Sequence, residues 1–432
     1  MPSLLPKGAA LWDRLQSSPL ILRTGILFVG TMGGNVFSYL FQLVTGRLMS
    51  VSDYGTMNAL VAVMAIGSVP LVTVTNYLAK KVSHHLALEE PALANQLILT
   101  SYKWVLRAAL GVALVVAVFP HVLGDILQLP SVVPVFFLCA AFVANAAIPV
   151  NIGLLQGLHR FGLLSFFSVG YPALKLLLAV LALYLGWELN GVMGAITVSA
   201  LVAVVATFLL IRPVFAAGFA PTDQEVRHVW VELWPLFLGN TAFSLISQLD
   251  MVLVKSLFDP HQAGIYSSAA ILSKALMYLP GALVMSLFPM VAASKAKQES
   301  SFHLLLKALG LTLLLSGSGA VVLYFFPEWV VGFLFGNKFL EATSLIPTFV
   351  VAILPVAFLM VLMTYNLAWG GRLAAPILAL GAGVQALGFY LFHESLAQVL
   401  WVMFFVNLGT AGLSLGLAYL TDRIHRQDQA RN

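Results

Sequence analysis

Charged residues are scarce in this chain: Asp, Glu, Lys and Arg together make up 9% of its 432 residues. Soluble globular domains carry about 25% charged residues, so the composition excludes that class. The chain has one cysteine, Cys139, which excludes an intrachain disulfide and a cysteine-based metal site. Its polar segments are short, which excludes a separately folded soluble domain of appreciable size.

The sequence is instead rich in long apolar segments, with 60% hydrophobic residues and a mean hydropathy of +0.95. A helix needs about 20 apolar residues to cross a bilayer core, and its backbone groups must pair within the segment. The sequence therefore predicts an all-α polytopic membrane protein with twelve transmembrane helices. The predicted spans are 23–46, 55–79, 104–119, 131–155, 163–186, 191–211, 231–257, 264–292, 304–326, 343–368, 374–392 and 397–420.

The cations indicate an orientation, because Lys and Arg near helix ends are retained on the cytoplasmic side. With the N-terminus inside, all but five of the 22 Lys and Arg residues fall in or beside cytoplasmic segments. The first residues are too polar for the apolar region of a signal peptide, so we expect an uncleaved N-terminus. We expect a multi-pass protein of the cytoplasmic membrane with both termini in the cytoplasm. The net charge of +5 follows from this topology and does not indicate a nucleic-acid partner.

An internal repeat relates the two halves of the chain. In segments 46–55 and 255–266, a cation ends one span, an acidic turn follows, and Gly and Tyr open the next span. An offset of about 209 residues relates these segments, and nearly the same offset relates Lys175 to Gln385. Six spans per half give both halves the same orientation, which predicts two parallel six-helix lobes with a substrate path between them. The predicted divisions are a cytoplasmic segment 1–22, a first lobe 23–211, a cytoplasmic linker 212–230, a second lobe 231–420 and a cytoplasmic tail 421–432.

The chain resembles the polysaccharide and oligosaccharide flippases of the multidrug/oligosaccharidyl-lipid/polysaccharide (MOP) exporter superfamily. The resemblance rests on segment 46–55, Asp250 with Gly264-Ile265-Tyr266, Pro289, and twelve spans in two lobes. It implies a MATE-like fold and movement of a polyprenyl-pyrophosphate-linked oligosaccharide across the cytoplasmic membrane by alternating access. It also implies coupling to H⁺ or Na⁺, with membrane lipids and polysaccharide-assembly proteins as partners.

Ionisable residues inside the spans are candidates for a substrate path, because a charge at mid-bilayer is costly and usually faces the bundle interior. Lys175 lies near the middle of span five, three residues after Pro172. It contacts a pyrophosphate as a compact charge, donates a hydrogen bond to a carbonyl freed by Pro172, or simply holds the helix bundle together. Asp250 and Lys274 in spans seven and eight either form an interhelical ion pair, or act as an ion-coupling site and a lipid-phosphate contact respectively.

Arg47 and Lys255 occupy matching positions at the outer ends of spans one and seven. They either guide an anionic head group outward or snorkel to the membrane interface. The candidates for substrate binding are thus Lys175, Lys274, Arg47 and Lys255, and the candidate for ion coupling is Asp250.

Motifs for catalysis and nucleotide binding are missing. The sequence has no Gly-rich phosphate loop ending in Gly-Lys-Ser/Thr, no His-Glu-x-x-His and no Cys-x-x-Cys, so we expect no enzyme activity and no cofactor. The alternative function is a cation-coupled exporter of drugs or other small molecules from the same superfamily. A site for cationic drugs requires carboxylates in the first lobe, and the predicted spans there contain none.

Overall fold

The computed structural model describes residues 19–212, 226–281, 301–369 and 373–431, with isolated positions 215, 218, 287, 290, 291 and 294. The structure is 91% helical and these residues contain no strand, which confirms the all-α class. The predicted segment before residue 19, part of the predicted linker, Pro289 and the turn 370–372 lie outside the described residues.

The described helices fall in two series in chain order. The first series is α1 Pro19–Leu48, α2 Val51–Ala87, α3 Pro91–Val118, α4 Pro120–Ile126, α5 Val133–Ala146, α6 Ile148–Gly157, α7 Phe161–Tyr184 and α8 Glu188–Ile211. The second series is α9 Val226–Leu257, α10 Pro260–Tyr278, α11 Phe302–Phe325, α12 Pro327–Leu334, α13 Ile346–Trp369, α14 Ala374–Leu391 and α15 Leu396–Arg431, with a 3₁₀ helix at Asn337–Ser344 before α13.

Ten of the described helical segments are long and apolar enough to cross a membrane, or eleven if a bent pair is one span. That pair is Val51–Val69 and Thr73–Ala87 in α2, which meet at 41°. These segments match eleven of the twelve predicted spans in order. The remaining span, 264–292, corresponds to α10 and continues into residues that are not all described. The protein is therefore a multi-pass helical membrane protein.

The predicted spans 55–79 and 104–119 leave residues 80–103 as a long cytoplasmic loop, and this loop length is wrong. Helix α2 continues to Ala87 and α3 begins at Pro91, so residues 88–90 alone join the two helices. Hydropathy locates the membrane core rather than the helix ends, and residues 80–87 and 91–103 extend the two helices beyond the predicted spans. Pro91 is suited to the first turn of a helix, where its missing N–H would have no helical acceptor.

Short proline-initiated helices follow the third span of each half. Helix α4 begins at Pro120 after Phe119, and α12 begins at Pro327 after Phe326. The offset of 207 residues agrees with the repeat found in the sequence. The prolines start these helices because the fixed φ of proline is compatible with the first helical position.

Contacts group the chain into two compact units: unit 1 holds residues 1–45, 74–118 and 133–224, and unit 2 holds 46–73, 119–132 and 225–432. In unit 1, α8 packs against α5 and α7. In unit 2, α13 packs against α10, α11 and α15. The division falls within α2 near its bend, and the lobe boundaries 23–211 and 231–420 stay a prediction.

Candidate functional site

Lys175 lies in the middle of α7 in unit 1. Its Nζ is 4.4 Å from the ring centroid of Phe41 on α1 and 5.7 Å from that of Tyr171, one turn earlier on α7. Cation–π attraction to these rings stabilises the ammonium group in place. The residue is partly exposed, and no described carboxylate forms an ion pair with it.

The carbonyl freed by Pro172 accepts no hydrogen bond from Lys175. Proline at position 172 cannot donate to the carbonyl of Ser168 four residues earlier. That carbonyl oxygen faces Gly34 of α1, where an added Cβ would lie 2.1 Å from it. Within the described residues, the contacts of the Lys175 ammonium are with aromatic rings, so this cation keeps its hydrogen-bonding capacity.

Tyr171 and Asn145 form a polar pair beside Lys175. The Tyr171 hydroxyl donates a hydrogen bond of 2.7 Å to Oδ1 of Asn145 on α5, and Nδ2 of Asn145 donates to the Ala141 carbonyl at 2.8 Å. Both side chains are partly exposed. An added Cβ at the adjacent Gly170 would meet no atom within 4 Å, so open space adjoins this stretch of α7.

Asp250 of α9 and Lys274 of α10 form a buried ion pair in unit 2. Lys274 Nζ donates hydrogen bonds of 2.7 Å to Asp250 Oδ1 and to the Ser247 carbonyl. The Tyr266 hydroxyl donates to Asp250 Oδ2 at 2.9 Å. Asp250 is 0% exposed and Lys274 is 5% exposed. The ion pair considered from the sequence is present, and Tyr266 completes the hydrogen bonding of its carboxylate.

In unit 2, Arg47 and Lys338 donate hydrogen bonds to backbone carbonyl groups at two helix ends, those of α12 and α1. Arg47 Nε donates to the carbonyl of Leu334, the last residue of α12, at 2.8 Å, and Nη2 donates to the carbonyl of Phe333. Lys338 Nζ donates to the Arg47 carbonyl at 2.7 Å and to that of Met49. The last carbonyls of a helix lack helical donors, and cations there also interact favourably with the helix dipole.

Lys255 lies in the last turn of α9 and is 1% exposed, so its side chain does not reach the protein surface. The carboxylates of Asp53 and Asp259 attract its ammonium group. Nearby, Gly55 of α2 touches Gly264 of α10: a Cβ at Gly55 would lie 2.6 Å from Gly264 N, and one at Gly264 would lie 2.0 Å from the Val51 carbonyl oxygen. The two repeat-related segments are thus docked on each other through their glycines.

Gln385 occupies the position that the repeat relates to Lys175, and its surroundings differ. It is 0% exposed; its Nε2 donates to the Ile246 carbonyl at 2.9 Å, and its Oε1 accepts from Asn407 Nδ2 at 2.9 Å. This amide joins α9, α14 and α15 by hydrogen bonds, as polar side chains commonly do in membrane helices. Among the described residues, no hydrogen bond ties Lys175 to a neighbouring helix, and its contacts are with the rings of Phe41 and Tyr171.

The predicted site residues therefore fall into three groups. Asp250 and Lys274 are bonded to each other. Arg47 donates hydrogen bonds to the end of α12, and Lys255 is buried in the same unit. Lys175 lies in unit 1. Sequence reasoning missed Phe41, because an aromatic residue in an apolar span carries no distinguishing signal. It also missed the carbonyl contacts of Lys338, which depend on how the chain folds back.

Comparison with known proteins gives one family match. A sequence model described as "Polysaccharide biosynthesis protein" matches residues 22–295. A search of curated proteins gave no significant match.

Several solved structures share the fold. An inward-facing multidrug resistance MATE transporter of the MOP superfamily has a TM-score of 0.77 at 12% identity, covering 90% of this chain and 96% of its own. A MOP superfamily transporter from Pyrococcus furiosus, described as having a binding pocket of reverse polarity, has a TM-score of 0.68 at 14% identity, covering 94% and 96%. The eukaryotic MATE transporter AtDTX14 has a TM-score of 0.64 at 16% identity, with the same coverage.

These structural matches show the fold. The family model matches more than half of the chain and shows the family. The resemblance stated from the sequence is confirmed: the chain belongs to the polysaccharide biosynthesis protein family and has the MATE-like fold of the MOP superfamily.

Proposed function

We propose that this protein is a flippase that moves a polyprenyl-pyrophosphate-linked oligosaccharide across the cytoplasmic membrane by alternating access. The observation that carries the proposal is Lys175, a mid-span cation with no described carboxylate partner and a partly exposed side chain. An unpaired charge facing lipid tails would be costly, so its position favours a polar, substrate-accessible surface. A lysine there attracts an anionic head group as a point charge.

The balance of charge inside the helices supports an anionic substrate. In the described spans, the buried carboxylate of Asp250 already accepts hydrogen bonds from Lys274 and Tyr266. Its charge is neutralised by Lys274, whereas the charge of Lys175 is not neutralised by any described acidic side chain. The net available charge is therefore positive.

The alternative is a cation-coupled drug exporter, the activity named for the MATE transporters that share this fold. Cationic drugs need an available carboxylate, and the described helices of unit 1 place acidic side chains at helix ends, such as Glu188, rather than at mid-span. This distribution favours the lipid-linked substrate over a cationic drug.

Ion coupling at Asp250 remains part of the proposal. A proton or sodium ion that reaches this carboxylate competes with the Lys274 ammonium, which occupies Oδ1 at 2.7 Å. Coupling then consists of releasing Lys274, which becomes free to contact a lipid phosphate. Because separating a buried pair costs about 3–5 kcal/mol, this step requires compensation from the arriving cation or the substrate.

Arg47 and Lys255 act, in this proposal, at the outer end of the path. Arg47 donates hydrogen bonds to the carbonyls of Leu334 and Phe333 on α12. Lys255 is buried and is attracted by the carboxylates of Asp53 and Asp259. Each cation contacts a departing head group only when the protein around it opens. We place both chain termini on the cytoplasmic side, on the distribution of Lys and Arg, and expect polysaccharide-assembly proteins as functional partners.

Transbilayer movement in liposomes tests the function. Purified protein is reconstituted with a fluorescent polyprenyl-pyrophosphate oligosaccharide, and the outer-leaflet fraction is followed with and without imposed H⁺ and Na⁺ gradients. Parallel liposomes contain a fluorescent cationic dye. Accelerated movement of the lipid-linked oligosaccharide supports the flippase, and dye export without lipid movement would establish the alternative.

A further inference from the structure

Three polar side chains lie together at mid-depth in unit 1, and one of them is already assigned to the phosphate. Tyr171 and Lys175 are one helical turn apart on α7, and Asn145 on α5 accepts a hydrogen bond from Tyr171. Side chains four residues apart share a helix face. The Lys175 ammonium lies 5.7 Å from the Tyr171 ring centroid, so the cation and the phenol–amide pair adjoin.

These side chains do not have the surroundings of structural polar residues. The structural polar groups at mid-span in unit 2, such as Gln385 and Asn407, are 0% exposed and bond to neighbouring helices. Tyr171, Lys175 and Asn145 are partly exposed, and open space adjoins Gly170. Polar groups exposed at this depth would be costly against lipid tails, so they indicate a water-accessible surface.

The hydrogen bonds within the pair define what else it binds. The one proton of the Tyr171 hydroxyl is donated to Asn145 Oδ1, and the Asn145 amide nitrogen donates to the Ala141 carbonyl. The unused capacity is a lone pair on the Tyr171 oxygen, the second lone pair of Asn145 Oδ1 and the second N–H of Asn145 Nδ2, which makes two acceptors and one donor. A group that both donates and accepts hydrogen bonds, such as a sugar hydroxyl or acetamido group, uses this capacity more fully than a phosphate oxygen, which can only accept.

We infer that Tyr171 and Asn145 form a saccharide subsite that accepts hydrogen bonds from the hydroxyl or acetamido N–H groups of the sugar attached to the pyrophosphate, while Lys175 binds the pyrophosphate itself. The inference rests on the proposed function and adds a specificity to it. The subsite favours a first sugar that presents a hydroxyl or acetamido group to these side chains, because such a group can both donate and accept hydrogen bonds. The phosphate and the sugar lie side by side along α7.

Two lipid substrates separate the subsite from the phosphate contact. Transbilayer movement is measured for a polyprenyl pyrophosphate with a neutral disaccharide and for the same lipid without sugar. Tyr171→Phe and Asn145→Leu should each slow the sugar-bearing lipid about fivefold, the effect of losing one hydrogen bond, and leave the bare lipid unchanged. Lys175→Gln should slow both lipids.

A matched control is present in the same unit. Tyr102 donates a hydrogen bond to Asn151 Oδ1, the same pairing of residue types. Tyr102→Phe should leave the ratio of the two rates at its wild-type value. The inference is overturned if Tyr171→Phe slows both lipids equally, slows neither, or changes the ratio no more than Tyr102→Phe does.

A binding measurement keeps the subsite testable if no lipid moves. The melting temperature of the solubilised protein is recorded with inorganic pyrophosphate and with N-acetylhexosamine 1-phosphate. The inference predicts that Lys175→Gln loses stabilisation by both probes, and that Tyr171→Phe and Asn145→Leu lose only the additional stabilisation by the sugar phosphate. If neither lipid moves in the wild type but this pattern appears, the flippase proposal fails and the subsite stands. The subsite fails if the sugar phosphate stabilises these two variants as it does the wild type, or adds nothing beyond pyrophosphate in the wild type itself.

Discussion

The ammonium of Lys274 lies 2.7 Å from Oδ1 of Asp250, and neither residue is more than 5% exposed. Such a pair does little for net stability relative to apolar residues, but its two charges depend on each other. Lys274→Met should lower the free energy of unfolding by about 3–5 kcal/mol, because it leaves an uncompensated buried carboxylate. Thermal unfolding in detergent measures the effect.

The double variant Asp250→Asn with Lys274→Met is the control for that prediction. It removes both charges, so it should be more stable than Lys274→Met alone. If the double variant is the less stable of the two, the pair is not a mutually dependent charge pair. Additive losses from the two single substitutions would contradict the account in the same way.

The contact between Gly55 and Gly264 predicts intolerance to one methyl group. Gly264→Ala would place a Cβ 2.0 Å from the Val51 carbonyl oxygen, so the helices α2 and α10 must move apart. We expect a loss of about 1–3 kcal/mol, the usual cost of overpacking. The control is Gly111→Ala in α3, where an added Cβ meets no atom within 4 Å and the melting temperature should stay the same or rise. Equal effects of the two substitutions would contradict this docking.

Lys338 gives a pH-dependent prediction. Burial lowers the pKa of its ammonium below the ordinary lysine value of 10.5, because desolvation penalises the charged form. Between the lowered pKa and 10.5, the unfolded chain binds more protons than the folded one, so this residue makes stability rise with pH. As the pH rises through that window, the melting temperature of the wild type should increase relative to that of Lys338→Met. A melting-temperature difference that stays constant with pH, or that changes in favour of Lys338→Met, would contradict the desolvation of the Lys338 ammonium.

The repeat-related positions 175 and 385 should respond differently to the same substitution. Gln385→Met removes the hydrogen bonds to Ile246 and from Asn407 and should lower stability by about 1–3 kcal/mol, since it leaves buried groups unpaired. Lys175→Met removes no described hydrogen bond and should leave the melting temperature near the wild-type value. Comparable destabilisation at both positions would show that Lys175 is structural.

Much of this architecture was predictable from the sequence because lipid imposes simple rules on length and polarity. Eleven spans follow from apolar runs, and the repeat follows from the Arg47 and Lys255 segments. The start of α3 at Pro91 was missed from hydropathy, because Asn95, Gln96 and Lys103 interrupt the apolar residues of its first half. Whether Asp250 was paired or available was also undecided, since two charges on successive spans fit both arrangements.

The site was predictable only in part, because the sequence shows residue types within a span but not how the helices pack. A lysine in the middle of a span is visible in the sequence, and so is its difference from Gln385 in the other half. The Phe41 ring beneath it and the orientation of the Tyr171–Asn145 pair depend on packing between helices, and aromatic residues in apolar spans are too common to indicate it.

The most direct test of the central claim is the rate at which Lys175→Met protein moves a lipid-linked oligosaccharide across a liposome bilayer, at equal folded protein and relative to wild type. The account predicts a fall of about tenfold or more, the effect of losing a charged contact, with partial recovery in Lys175→Arg. An unchanged rate in Lys175→Met, with wild-type protein active in the same assay, would contradict the claim that this cation binds the head group.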